Sequence, residues 1–423
     1  MRQFGHLGAD LRRRLFLVEP VPFDRHGPAA PLAAALGGTL YLPAVRPTLA
    51  ADVRKQAARG VVSMVLCLED AIADREVAAG EANLVAGLRE LAAATGLGAT
   101  GLGVSGLGVA GAGVVGAGVV GVGAAELPLL FVRVRAPEQI GELIGRLGDA
   151  ARLLSGFVLP KFTEERGAAY LEALAVAEAA CGQRLFGMPV LESPELAQLE
   201  HRREQLLGTA RLLAKFRDRV LAVRLGVTDL CSAYGLRRAP ELTAYDLALV
   251  AGVIGDVVNV LGRADGTGFT LTGPVWEYFP GGAGGAGGAG GGDGSGEGSG
   301  GAELAGLVRE IDLDRANGLL GKTCVHPSQV PVVHARSVVS HEEYRDAQDV
   351  LGVEPGGRLD GGAASGGGGG GVSGSAYRNK MNEAKPHRAW AQRVLLRAEA
   401  FGVARPEIGF AELIAAGEQE GRG

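Results

Sequence analysis

The chain has 423 residues, 70 of them glycine, with 47% hydrophobic residues and a formal net charge of −5. That hydrophobic share supplies a large core, and one domain with decorations accounts for the length once glycine-rich stretches are set aside. The mild acidic balance, with no long basic run, argues against a nucleic-acid partner and for a small molecule.

In chain order, strand-like apolar runs are expected at 40–45, 62–68, 129–134, 157–160, 186–191, 222–227, 270–276 and 322–325. Helix-like stretches lie between them at 81–94, 137–154, 164–180, 194–216, 245–261 and 303–320. Strands alternating with helices in this way give an α/β chain of the TIM (β/α)8 barrel type. An open doubly wound sheet is the rival, because alternation alone does not report closure. The implied organisation is an N-terminal extension (1–38), a barrel (39–350) with low-complexity insertions at 96–125 and 281–301, a glycine-rich linker (351–376) and a C-terminal helical segment (377–423).

Two features of the glycine tracts are decoys. Residues 96–125 carry no charge and are long enough to cross a bilayer, but they are Gly, Ala and Val with little Leu and no Phe or Ile, a poor spanning helix. The same stretch contains Gly96-Leu-Gly-Ala-Thr-Gly101, a formal dinucleotide fingerprint. It recurs only because the segment is a run of pentapeptides from GLGAT to GVGAA, and no acidic ribose-binding residue follows. The tracts 281–301 and 361–375 have the composition of flexible surface-loop insertions and are expected to be disordered. No membrane partner is expected. The scattered cysteines Cys67, Cys181, Cys231 and Cys324 have no metal-ligand spacing, and residues 1–17 do not read as an export signal. A reducing, cytoplasmic setting is the expectation.

In a TIM barrel the working residues gather where strands end, because the strand-to-helix loops converge on one rim. Here those ends are acidic: Glu69 and Asp70 after the second run, Glu192 after the fifth and Asp229 after the sixth, with Arg133 near the end of the third. Carboxylates from several strands suit Mg²⁺ or another hard divalent cation. Arg133 offers a planar fork for a substrate carboxylate. Each acid also has a plain structural explanation, since Asp70 and Asp229 stand where helices begin and Ser193-Pro194 reads as a helix cap followed by proline at the first position. His326 alone reads as a structural histidine.

At these residues the sequence resembles the citrate lyase β-subunit and HpcH/HpaI aldolase superfamily, which includes malyl-CoA and citramalyl-CoA lyases. Family patterns of the form LFVPGDRP, LDLEDAV, VRVN, LPKVE, IES, GxxDL and KxxIHPxQ stand here, in order, as Leu40-Tyr-Leu-Pro-Ala-Val-Arg46-Pro47, Leu66-Cys-Leu-Glu69-Asp70-Ala-Ile, Val132-Arg133-Val-Arg135, Leu159-Pro-Lys161, Leu191-Glu192-Ser193, Gly226-Val-Thr-Asp229-Leu and Lys322-Thr-Cys-Val-His326-Pro-Ser-Gln329. The resemblance implies a metal-dependent carbon–carbon bond lyase in which Glu192 and Asp229 ligate Mg²⁺. It also implies that Arg46, Arg133, Arg135 and Lys161 bind substrate, and that Arg133, Glu69 and Asp70 take part in catalysis. A small hydroxy- or keto-acid is the implied substrate and a homo-oligomer the implied assembly.

The departures are Cys67 for the first acid of LDLED, Arg135 for the Asn of VRVN, and Thr163-Glu164 after Lys161. An added arginine favours a more anionic substrate than a CoA thioester, although a malyl-CoA or citramalyl-CoA type of lyase is the runner-up. An inactive barrel serving as a binding or scaffold subunit is the reading from another class, with Cys67 as its support. Outside the barrel, Glu19-Pro-Val-Pro-Phe23-Asp-Arg25-His26 and Asn379-Lys380-Met381-Asn382-Glu383-Ala-Lys385-Pro386-His387 resemble a bacterial branch of the superfamily associated with tellurium-resistance and stress-response gene clusters. The second segment reads as the start of a capped helix running to Gly402, or as a lid over a neighbouring subunit's site.

Overall fold

The structure, a computed structural model, describes residues 1–96, 127–279, 299–353 and 371–419. The pentapeptide run, most of the tract at 281–301 and most of the linker fall outside them, and with these the expectation of disordered insertions. Among the described residues no helix is long and apolar enough to cross a membrane.

Eight parallel strands close into a barrel, which settles the contest with an open sheet: the first strand pairs with the second and also with the eighth. The strands are Gly38–Pro43, Ser63–Cys67, Leu129–Arg133, Leu154–Leu159, Phe186–Leu191, Val223–Leu225, Leu271–Trp276 and Leu319–Cys324. Each overlaps a strand expected from the apolar runs. Alternation sorts their side chains into two cores. Leu40, Leu66, Val132, Leu159, Leu191 and Leu225 face outward and pack beneath the helices. Val65, Phe131, Val158, Met188 and Val190 fill the interior.

Local chemistry fixes most helix limits. In Glu164–Cys181 the Thr163 side chain accepts from the Arg166 N–H at 3.2 Å, acids occupy the first turn, and Gly182 closes the helix in the left-handed conformation at φ 66°. Pro137–Leu147 buries Ile140, Leu143, Ile144 and Leu147 along one face and stops at Gly148, φ 57°. The expected helix over 137–154 is therefore shorter, and the fourth strand starts at Leu154. The stretch 194–216 divides into Pro194–Ala197 and Leu199–Lys215, because Gln198 is extended (ψ 123°). Ser193 does precede a proline at the first helical position, but its side chain makes no capping bond.

Both chain ends are built onto the barrel. Leu32, Ala33 and Leu36, in and just after the helix Ala29–Ala35, pack with Leu129, Phe186 and Leu221 at the strand starts, so this helix closes the N-terminal end of the barrel. Arg25 fastens the preceding segment by donating to the carbonyls of Leu153 and Leu127 at 3.1 and 3.2 Å. Strand Phe16–Val18 pairs antiparallel with Val403–Ala404, and Phe4, Phe16 and Phe401 share one cluster. The segment expected to begin a helix at Asn379 instead forms a hairpin: Met381–Glu383 pairs with Val372–Gly374, and the helix runs from Arg388 to Phe401 with Gly402 as its C-cap.

Candidate active site

Arg133 is the hub of the rim opposite that plug. It ends the third strand pointing inward, and its Nη2 lies 2.7 Å from Glu69 Oε2, 2.9 Å from Asp70 Oδ2 and 2.9 Å from Glu192 Oε1. Lys161 supplies a second cation, with Nζ 2.5 Å from Glu69 Oε1 and 3.7 Å from Asp70 Oδ1. Its backbone is in the left-handed region, φ 48°, a conformation that a lysine rarely adopts. With that turn the Lys161 N–H donates to Glu192 Oε1 at 3.0 Å, while the Phe162 N–H donates to the Val190 carbonyl at 3.0 Å.

Glu192 is 3% exposed, and one glycine makes its place. A Cβ on Gly226 would lie 2.1 Å from Glu192 Oε2 and 2.4 Å from Glu192 Cβ, so no side chain fits there. Asp229 lies within the first turn of the helix Val227–Ala233, just beyond the strand end where it was expected, and shares a hydrogen bond with Glu192.

The electrostatics raise three of the four acids and lower one. Burial and the neighbouring Asp229 push Glu192 up to about 7, against the pull of Arg133. Asp229 is raised by burial and by Asp70. Glu69 is raised by burial and by its hydrogen bond with Asp70. Burial also acts on Asp70, but the bond from Glu69 and the charges of Arg133 and Lys161 outweigh it and hold Asp70 low. Burial works against the charge of Arg133, yet Glu192, Tyr41 and Glu69 overcome it and raise its pKa.

Among the described residues no group of three or more His, Cys, Asp or Glu side chains is arranged to hold a metal ion. Mg²⁺ does not need such a cage, since one or two carboxylates with water and substrate oxygens serve it. Glu192 and Asp229 meet that requirement: they are oxygen donors drawn together, and their mutual repulsion is what a divalent cation cancels.

Not every expected residue joins the cluster. Arg46 is exposed and bonded to Asp52 at 2.7 Å. Arg135 turns to Asp74 and the Leu68 carbonyl, so the extra arginine at the VRVN position does not face the acids. In the late motif, Lys322 is buried on the outer face of the barrel with Nζ 2.7 Å from Glu310 Oε1 and 2.8 Å from Asp314 Oδ2. Gln329 donates to the carbonyls of Trp276 and Tyr278, both at 2.9 Å, and His326 stacks on Phe279 with centroids 4.7 Å apart. These residues brace the eighth strand.

The barrel interior also holds a cation that the motif pattern did not single out. Arg224, 1% exposed, donates from Nη2 to Thr323 Oγ1 at 2.7 Å, and its guanidinium carbon lies 5.6 Å from the centre of the Tyr41 ring. Alternation in the run 222–227 was the available signal. With Val223 and Leu225 outward, Arg224 must point in.

A closed (β/α)8 barrel with an acid-and-arginine centre on its C-terminal rim is the architecture of a TIM-barrel enzyme. The chain belongs to the family of C–C bond lyases of the TIM-barrel fold, whose model matches residues 30–403. Its fold is similar to that of a citrate lyase from Burkholderia xenovorans LB400, at 14% identity and TM-score 0.56, covering 91% of this chain and 96% of that one. It is also similar to CitE from Mycobacterium tuberculosis in complex with magnesium, acetoacetate and coenzyme A, at 20% identity and TM-score 0.50, covering 86% and 99%. No curated protein matches the chain in sequence.

Proposed function

We propose that this protein cleaves, or in reverse forms, a carbon–carbon bond of a small hydroxy- or keto-acid with the aid of Mg²⁺. The observation that carries this reading is the convergence of Glu69, Asp70 and Glu192 within 2.9 Å of one arginine nitrogen, with Asp229 bonded to Glu192. Glu192 and Asp229 hold the cation. When bound, it supplies Lewis-acid stabilisation of the enolate charge that develops during cleavage.

The chain's own residues do the rest. Arg133 orients the substrate carboxylate or carbonyl with its guanidinium fork. Glu69 has its pKa raised by burial and by its hydrogen bond with Asp70, and is the group suited to take the substrate hydroxyl proton as the bond breaks. The electron pair of that bond passes to the enolate fragment, and the O–H pair forms the new carbonyl. Asp70 stays ionised and, with Lys161, holds Glu69 in place. Lysine and arginine beside the acids keep the site compatible with an anionic substrate.

The magnesium complex of the Mycobacterium tuberculosis CitE, with its small acid and coenzyme A, supports the same chemistry for this chain. Calorimetric titration of Mg²⁺ into the protein and into Glu192→Gln and Asp229→Asn variants tests the reading. Binding at one site, weakened at least ten-fold in each variant, is expected. Equal affinity in all three proteins refutes it.

A further inference from the structure

Helix Arg388–Phe401, which follows the Asn379–His387 segment, covers a cavity of about 1030 Å³ at the end of the barrel opposite the acids. Its other walls are the loop leading into the seventh strand and the turn leading into the eighth. Cavities that enclose small ligands and cofactors measure roughly 300–1,000 Å³.

Four guanidiniums line this space, those of Arg263, Arg315, Arg393 and Arg397, with two carboxylates, Asp312 and Glu343. Asp312 is taken by Arg336, which stands outside the lining, with Nε 3.1 Å from Oδ1. Glu343 serves two arginines, Arg397 at 2.8 Å and Arg315 at 3.9 Å. Arg263 and Arg393 donate to the backbone carbonyls of Asn259 and Gly262 at 2.9 and 2.8 Å, and among the described residues neither forms an ion pair. Asp265, exposed beside Arg263, accepts instead from the Thr267 N–H at 2.9 Å. Four positive charges against the one carboxylate left to them, Glu343, leave three over. Arg397 shows the strain of this excess. It is 8% exposed, among the described residues its Nε has no hydrogen-bond partner, and burial, with the charge of Arg315, lowers its pKa against the pull of Glu343.

Three unmatched charges in one cavity suit a polyanion, because phosphate groups on adjoining atoms can each take a planar guanidinium fork. Trp390 adds a second kind of surface. It lines the cavity while 40% exposed, three positions before Arg393 and seven before Arg397, so all three share one face of the helix. An indole left open beside guanidiniums is a stacking platform for a base.

We propose that this cavity binds a nucleoside polyphosphate, its phosphates held by Arg263, Arg393 and Arg397 and its base stacked on Trp390. The site is separate from the metal-centred rim and does not rest on that reading. A ligand there ties the C-terminal helix to the loops that feed the seventh and eighth strands.

The test is calorimetric titration of the protein with ADP and with pyrophosphate, in the absence of divalent cations. Salt is held at about 0.15 M, where exposed charges are screened beyond about 8 Å. One ADP per chain is expected, bound about ten-fold more tightly than pyrophosphate because of the stacked base. Arg393→Gln and Arg263→Gln, both at exposed positions, are each expected to weaken ADP and pyrophosphate about ten-fold. Trp390→Ala is expected to bring ADP down to the affinity of pyrophosphate and leave pyrophosphate unchanged. Lys161→Gln, which removes a cation from the rim, is expected to leave ADP affinity unchanged. Failure of the wild type to bind either ligand, or binding that survives at both positions 263 and 393, overturns the site. Equal affinity for ADP and pyrophosphate overturns the nucleotide. ADP affinity that falls with Lys161 and not with the arginines places the ligand at the rim and overturns the proposal.

Discussion

Gly226→Ala isolates the steric logic of the site. Its φ is −96°, open to any residue, so alanine introduces no backbone strain and acts only through its Cβ. That atom would start 2.4 Å from Glu192 Cβ and 2.1 Å from Glu192 Oε2. Carbon atoms settle at about 3.5–4.0 Å, so the two strands must part by roughly 1 Å or Glu192 must leave its place. Because Cβ is fixed to the backbone, rotating the carboxylate away relieves the contact with Oε2 but not the one with Cβ. Overpacking of this kind costs about 1–3 kcal/mol of stability, and a 1 Å displacement of a positioned group costs about 100-fold in function. Calorimetry with Mg²⁺ and urea unfolding read the two effects separately. An alanine variant with Mg²⁺ affinity within three-fold of wild type, and unchanged stability, refutes the claim that this glycine makes room for Glu192.

Other expectations follow from the same structure. Lys322→Met leaves Glu310 and Asp314 without their shared cation and should destabilise the fold by about 3–5 kcal/mol. Adding Asp314→Leu should restore part of the loss, and urea denaturation of the single and double variants checks this. His334, 3% exposed, is held neutral by burial and by the nearby His6, its pKa pushed down to about 3. The unfolded chain takes up that proton first, so this group's contribution is present above pH 6.5 and is lost between 6.5 and about 3 at up to about 1.4 kcal/mol per pH unit. The stability of His334→Phe relative to wild type should therefore rise as pH falls from 6.5 towards 3, and urea denaturation of both proteins across that range checks it. Mg²⁺ at 100 times its dissociation constant should stabilise the wild type by about 2.7 kcal/mol. The Glu192→Gln melting temperature should respond much less.

The barrel was legible because each strand is a separate apolar run, four of them with an acid or arginine at the end, and period-two alternation told which face each residue takes. Glu69, Asp70, Arg133, Glu192 and Asp229 were therefore found as ends of runs and Lys161 through the family motif, and the structure brings all six into one cluster. Arg46 and Arg135 look equivalent to them in sequence. What separates them is the presence of a nearer acid, Asp52 and Asp74, which captures each guanidinium. The hairpin at 372–383 was not legible, since its two strands are short, polar and separated by a turn. Asp346 on a neighbouring helix holds it, through the Asn382 amide at 3.2 Å and the Lys380 ammonium at 2.8 Å.

Sequence alone determined the order of strands and helices, the acidity of the strand ends and the positions where a hard cation and an oxyacid are expected. These are local properties, written in periodicity and residue type. Tertiary structure decided closure over an open sheet, the plugging of the N-terminal end by Leu32 and Leu36, and the choice among arginines. It alone decided that Arg224 has no acid beside it. Whether a buried charge is compensated depends on groups brought together from distant strands, and no run of neighbouring residues records that.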